Sequence, residues 1–218
     1  MAAAPAPLEP LSEPTGSAVK RTFMTMGKLF RSGVLAGFCI GLGCVANMRL
    51  GGIPGAVLFT FGLLTVVHFQ YKLYTGTAGF VSSGRDMGEL AVILAANLVG
   101  TFLLAAAIAY CLPFEYALDP RSILASRMNY GLLQALLMSA FCGYIMTVCV
   151  KFGREGRFLP LLFGVPIFIL SGYLHCIADA FYLFMSVFGG YFEAGFVPYY
   201  AAIVAGNFLG CNLWRVAE

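Results

Sequence analysis

His175 and Asp179 stand four residues apart inside an apolar stretch, Phe168-Ile169-Leu170-Ser171-Gly172-Tyr173-Leu174-His175-Cys176-Ile177-Ala178-Asp179. If that stretch crosses a bilayer, two ionisable groups sit near its middle. Charge at that depth is costly and survives at a packed interface or along a water-filled path. Ser171-Gly172, just before them, is a place where a helix can break. A broken span with a titratable group beside the break builds a polar site at mid-depth.

A second candidate segment is Phe69-Gln70-Tyr71-Lys72-Leu73-Tyr74-Thr75-Gly76-Thr77-Ala78-Gly79. Its two glycines and two threonines predict an irregular loop at membrane depth. Such a loop is tolerated only where it is buried in protein or lines a cavity. Freed backbone N–H groups and the Thr75 hydroxyl could then meet an anion. The alternative is an ordinary surface loop, which the apolar character up to Val81 argues against.

The whole chain must supply the membrane context. Of its 218 residues, 60% are hydrophobic and 11% charged, with a mean hydropathy of +0.86. A soluble domain of that length cannot hide so much apolar surface, so the lipid bilayer is its expected environment. A net charge of +3 gives no footprint for nucleic acid. The seven cysteines form no CxxC and no Cys/His metal spacing, so no metal and no cofactor is implied and the thiols read as small buried apolar groups. Residues 1–27 read as a disordered or amphipathic cytoplasmic segment, and 28–218 as one transmembrane channel domain. The Ala/Pro-rich start has no apolar core of the kind a signal peptide needs.

Spans of about 20 apolar residues fit at roughly 29–48, 53–71, 88–111, 131–151, 158–188 and 195–214. The second and fifth are predicted to contain breaks. With the N-terminus inside, nine basic residues (Lys20, Arg21, Lys28, Arg31, Arg85, Lys151, Arg154, Arg157, Arg215) face the cytoplasm and three (Arg49, Arg121, Arg127) face out, with Lys72 in the membrane. That bias puts both termini in the cytoplasm, in a multi-pass protein of the cell inner (plasma) membrane. Asn97-Leu98-Val99-Gly100 closes the first three spans and Asn207-Phe208-Leu209-Gly210 the second three. Two three-span halves enter the membrane from opposite sides, an inverted repeat of the transporter and channel kind. Gly33, Gly37 and Gly41 form a flat stripe for helix packing, within one protomer or between protomers.

On these motifs the chain resembles the formate/nitrite transporters over about residues 28–215. The opening span from Lys28 to Gly43 is similar to the family's first helix. Leu73-Tyr74-Thr75 is similar to its Leu-Phe-Thr loop, and Asn97-Leu98-Val99-Gly100 to its third-helix motif. Ser171-Gly172-Tyr173-Leu174-His175 is similar to its Ser-Gly-Phe-x-His break, and Gly206-Asn207-Phe208-Leu209-Gly210 to its last-helix motif. The resemblance implies an all-α membrane protein of six helices in two inverted repeats, helices 2 and 5 broken, with an aquaporin-like protomer. It implies a homopentamer whose protomers each pass small monovalent anions such as formate, nitrite, hydrosulfide or short carboxylates. It makes His175 the central histidine of a passive or proton-coupled channel, and Thr75 the threonine facing it. Phe59, Leu63, Leu73 and Phe168 fall at the apolar constrictions, Asn97 and Asn207 are polar partners, and Arg127 falls where a lysine draws in anions.

Three positions depart from the family pattern: Lys72 replaces an acid or amide, Asp179 an asparagine, and Gly143 an asparagine after Cys142. Asp179 could support a protonated His175, or pair with Lys72 between the two broken spans. His68 matches no motif and reads as a packing or lipid-interface residue. The alternative from another class is a membrane haem or cofactor-binding enzyme subunit using His68 and His175, which needs those two histidines facing each other at one depth.

Overall fold

The computed structural model describes residues 24–111 and 120–217. The expectation for residues 1–27 falls outside the described residues except at its end, where Met26 and Gly27 already belong to the first helix. The described residues form helices α1 (Met26–Leu50), α2 (Gly52–His68), α3 (Tyr74–Ala78), α4 (Gly84–Cys111), α5 (Arg121–Met128), α6 (Leu132–Arg154), α7 (Leu159–Leu170), α8 (Cys176–Phe188) and α9 (Phe196–Asn212), then a 3₁₀ turn (Leu213–Ala217). Four of these, α1, α4, α6 and α9 with its 3₁₀ extension, are long and apolar enough to cross a bilayer. The other two spans are composite: α2 with α3, and α7 with α8. The fold is thus the expected six-span protein with its second and fifth helices broken.

The halves pack by the same rule. α1 lies against α4, and α6 against α9. A Cβ at Gly37 would land on the Asn97 carbonyl, and one at Gly100 on that of Val34. In the second half, Gly143 meets the Asn207 carbonyl and Gly210 that of Ala140 in the same way. Backbone is in contact with backbone at all four places, so only glycine fits and the helices approach at the shortest separation. The Gly33/Gly37/Gly41 stripe therefore serves packing within the protomer, against α4 and, at Gly41, also Phe181 of α8. The glycine at 143, a departure from the family pattern, has the same cause: α9 leaves no room for a side chain.

Both breaks are built alike, residue for residue. In the first, Phe69 N–H bonds to Thr65 O (3.0 Å) and Tyr71 N–H reaches back to Val66 O (2.9 Å). In the second, Ser171 N–H bonds to Ile167 O (3.0 Å) and Tyr173 N–H to Phe168 O (2.9 Å). This is the Schellman ending of a helix, and it requires a left-handed residue between the two donors. Gly172 supplies it at φ 70°, whereas the first break uses Gln70 at φ 56°, a conformation that glycine adopts at less cost. The chain then turns extended at Leu73 and at His175, the N-caps of α3 and α8. The first break thus occupies residues 69–73. Of the irregular segment predicted over residues 69–79, residues 69–73 are the break and Tyr74–Ala78 is a helical turn, because the left-handed residue is Gln70, whose type does not advertise it.

A candidate anion pore at two helix breaks

Each break is held by one buried asparagine. Asn97 on α4 accepts from Tyr74 N–H through Oδ1 (2.8 Å). Its Nδ2 donates to Gly33 O and Lys72 O, both at 2.8 Å. Asn207 on α9 accepts from Cys176 N–H (2.8 Å) and donates to Ser139 O and Leu174 O, both at 2.8 Å. One amide therefore satisfies a helix N-terminal N–H, a carbonyl of the break and a carbonyl of the neighbouring full span. An unpaired polar group at this depth is costly, and three are removed at once. Of the backbone N–H groups in the first break segment, that of Tyr74 is consumed by this wiring.

The two breaks face each other. His175 Nε2 lies 3.0 Å from Thr75 Oγ1; the residues are 1% and 0% exposed. The other ring nitrogen, Nδ1, accepts from Ala178 N–H at 3.2 Å and so caps α8. An accepting Nδ1 assigns the proton of the neutral ring to Nε2, so Nε2–H donates to the Thr75 hydroxyl. The hydroxyl hydrogen remains free to turn toward a third group.

Apolar rings flank this pair. Phe168 stacks on the His175 ring (centroids 5.7 Å) and meets Phe59 edge to face at 5.7 Å. Leu63 and Leu73 are buried in the same core. Phe59, Phe168 and His175 also border a cavity of about 210 Å³ whose opposite wall is Ile123, Ser126, Arg127 and Tyr130, the α5 region. α5, an eight-residue helix with no sustained apolar period, has no signature in the sequence.

Asp179 stands behind that wall, paired with Arg127. Arg127 Nε sits 2.9 Å from Asp179 Oδ1, with the aspartate side chain fully buried and the arginine 16% exposed. The guanidinium lies over the Tyr182 ring at 5.7 Å, and Tyr199 OH donates to the Arg127 carbonyl. The partner of Asp179 is therefore Arg127, in place of the two expected, Lys72 and His175. The reason is local: α8 starts at Cys176, so His175 turns its Nδ1 to the helix end while Asp179, one turn on, points to α5. The Lys72 backbone is held by Ser32 Oγ through its N–H (3.0 Å) and by Asn97 through its carbonyl.

The two histidines are not brought together. His68 is exposed at the end of α2 beside Phe69, while both ring nitrogens of His175 are engaged. Among the described residues no group of three His, Cys, Asp or Glu side chains could hold a metal.

Residues 11–216 match the family described as Formate/nitrite transporter. The chain is 22% identical over 208 residues to the formate channel FocA of Haemophilus influenzae, covering 82% of this chain and 72% of that one. It is 23% identical over 222 residues to the uncharacterized transporter YrhG of Bacillus subtilis, covering 88% and 84%. Among solved structures, a pentameric formate channel with formate bound superposes with a TM-score of 0.77 at 18% identity, over 88% of this chain and 95% of that one. A channel described as an FNT family ion channel gives 0.72 at 20% identity, over 87% and 90%.

Proposed function

This chain belongs to the formate/nitrite transporter family, whose members are membrane transport proteins and not enzymes, and we propose that it is a channel for small monovalent anions, formate or nitrite foremost, with His175 and Thr75 at its centre. The observation that carries this reading is the 3.0 Å contact between Nε2 of His175 and Oγ1 of Thr75, where two broken helices meet between apolar rings. Formate and nitrite are anions of weak acids, and moving them bare past Phe59, Phe168, Leu63 and Leu73 is expensive. At the breaks, Nε2–H and the Thr75 hydroxyl are two hydrogen-bond donors that need only reorient to receive the substrate.

The ring as held here is neutral. Protonating Nδ1 would sever its bond from Ala178 N–H, so the geometry favours assistance by hydrogen bonding, with any proton that crosses arriving alongside the substrate. Hydrosulfide and short carboxylates fit the same chemistry. A homopentamer is supported by the pentameric relative of the same fold and by apolar side chains left exposed on the protomer's outer faces, such as Leu35, Phe38, Phe141 and Phe163. Both termini in the cytoplasm of a plasma membrane is the orientation that the basic residues support.

The test is uptake by the purified protein in proteoliposomes, with formate, nitrite, hydrosulfide, acetate and an uncharged control such as glycerol. Saturable uptake of one or more anions above empty vesicles is expected. Glycerol flux with no anion flux would contradict the reading.

A further inference from the structure

Arg127 is the one formally charged residue among those lining the cavity outside His175. A lone guanidinium there, walled by Phe59, Phe168, Ile123 and Ile169, would focus a positive potential on the approach to the histidine and enrich anions in it. The structure does not leave it alone. Asp179 stands behind the wall, fully buried, with its carboxylate 2.9 Å from the guanidinium Nε. Among the described residues Arg127 is the cation within ion-pair distance of it. A carboxylate with no contact to water cannot be screened or turned away, so the two charges act on the cavity as a fixed dipole.

We propose that Asp179 is a specificity-determining residue that lowers the pore's attraction for permanently charged anions: it cancels the charge of Arg127, so the entrance beside His175 is polar but electrically neutral. The inference rests on the anion-channel reading and deepens it by naming the substrate class. Weak acids, which can enter as the uncharged form, are favoured over anions of strong acids, which cannot. Arg127 keeps a second role as a hydrogen-bonding wall, since its Nη1 is buried without a partner.

The experiment compares nitrate, always ionised, with formamide, never ionised, in proteoliposomes containing wild type, Asp179→Asn or Arg127→Gln/Asp179→Asn. Asparagine keeps the shape and removes the charge. Asp179→Asn is expected to raise nitrate uptake at low ionic strength about tenfold and leave formamide uptake unchanged. The gain should disappear at high salt, where an uncompensated charge is screened, and in the double variant. Nitrate and formamide uptake falling together, or nitrate unchanged, would overturn the proposal by reducing Asp179 to a structural ion-pair partner. A wild type that carries no anion at all would refute the channel reading, yet a nitrate gain in Asp179→Asn would still support the charge assignment.

Discussion

His175 Nε2 and Thr75 Oγ1, 100 residues apart in the chain, lie 3.0 Å apart in the fold. Neither belongs to a continuous span. Thr75 rides on the first turn after one helix break and His175 ends the other, so the contact exists only because both breaks fall at one depth. Thr75→Val, which keeps the shape and removes the hydroxyl, leaves Nε2–H without its acceptor and takes one donor from the substrate. Anion uptake in proteoliposomes should drop about tenfold, the worth of one such hydrogen bond. Thr75→Ser should stay near wild type.

Asn97 and Asn207 make matching sets of three hydrogen bonds in the two halves. Replacing either with leucine strands three buried backbone groups. Each variant should lose about 3 kcal/mol or more of stability, at roughly 1 kcal/mol per group, read as a lower melting temperature in detergent. The two losses should be similar. A large loss from one and none from the other would contradict the equivalence of the halves.

Phe59 and Phe168 meet edge to face and border the α5-side cavity together with His175. Phe168→Ala removes the ring that also stacks on His175, and Phe59→Ala widens the same point. Both should raise uptake of acetate relative to formate, with the ratio measured on one preparation. An unchanged ratio would place the size limit elsewhere.

Much of this architecture was legible in the residues, and the reason is physical. A bilayer leaves few ways to satisfy backbone groups, so the apolar runs gave six spans and Ser171-Gly172 marked a break that the structure has. The paired asparagines were visible because a buried amide inside an apolar run needs a reason. Within the predicted segment 69–79 the break was not narrowed to its start, because Gln70 carries the left-handed conformation at φ 56°, where glycine is the usual signal. The partner of Asp179 was missed because Arg127 comes from α5, whose eight residues have no sustained apolar period to announce a helix. Helical spacing from 175 to 179 misled for a related reason: His175 is a cap, outside the helix that carries Asp179.

In the proposed channel His175 does more than cap α8. His175→Asn keeps an N-cap side chain, since asparagine is among the best caps, but cannot reproduce the Nε2–H at Thr75; His175→Ala removes both. The decisive measurement is formate and nitrite uptake into proteoliposomes by wild type, His175→Asn and His175→Ala, each confirmed to be folded by its melting temperature. Both variants are expected to lose most anion uptake, with His175→Asn retaining near wild-type stability. Equal fluxes for wild type and His175→Ala would contradict this expectation.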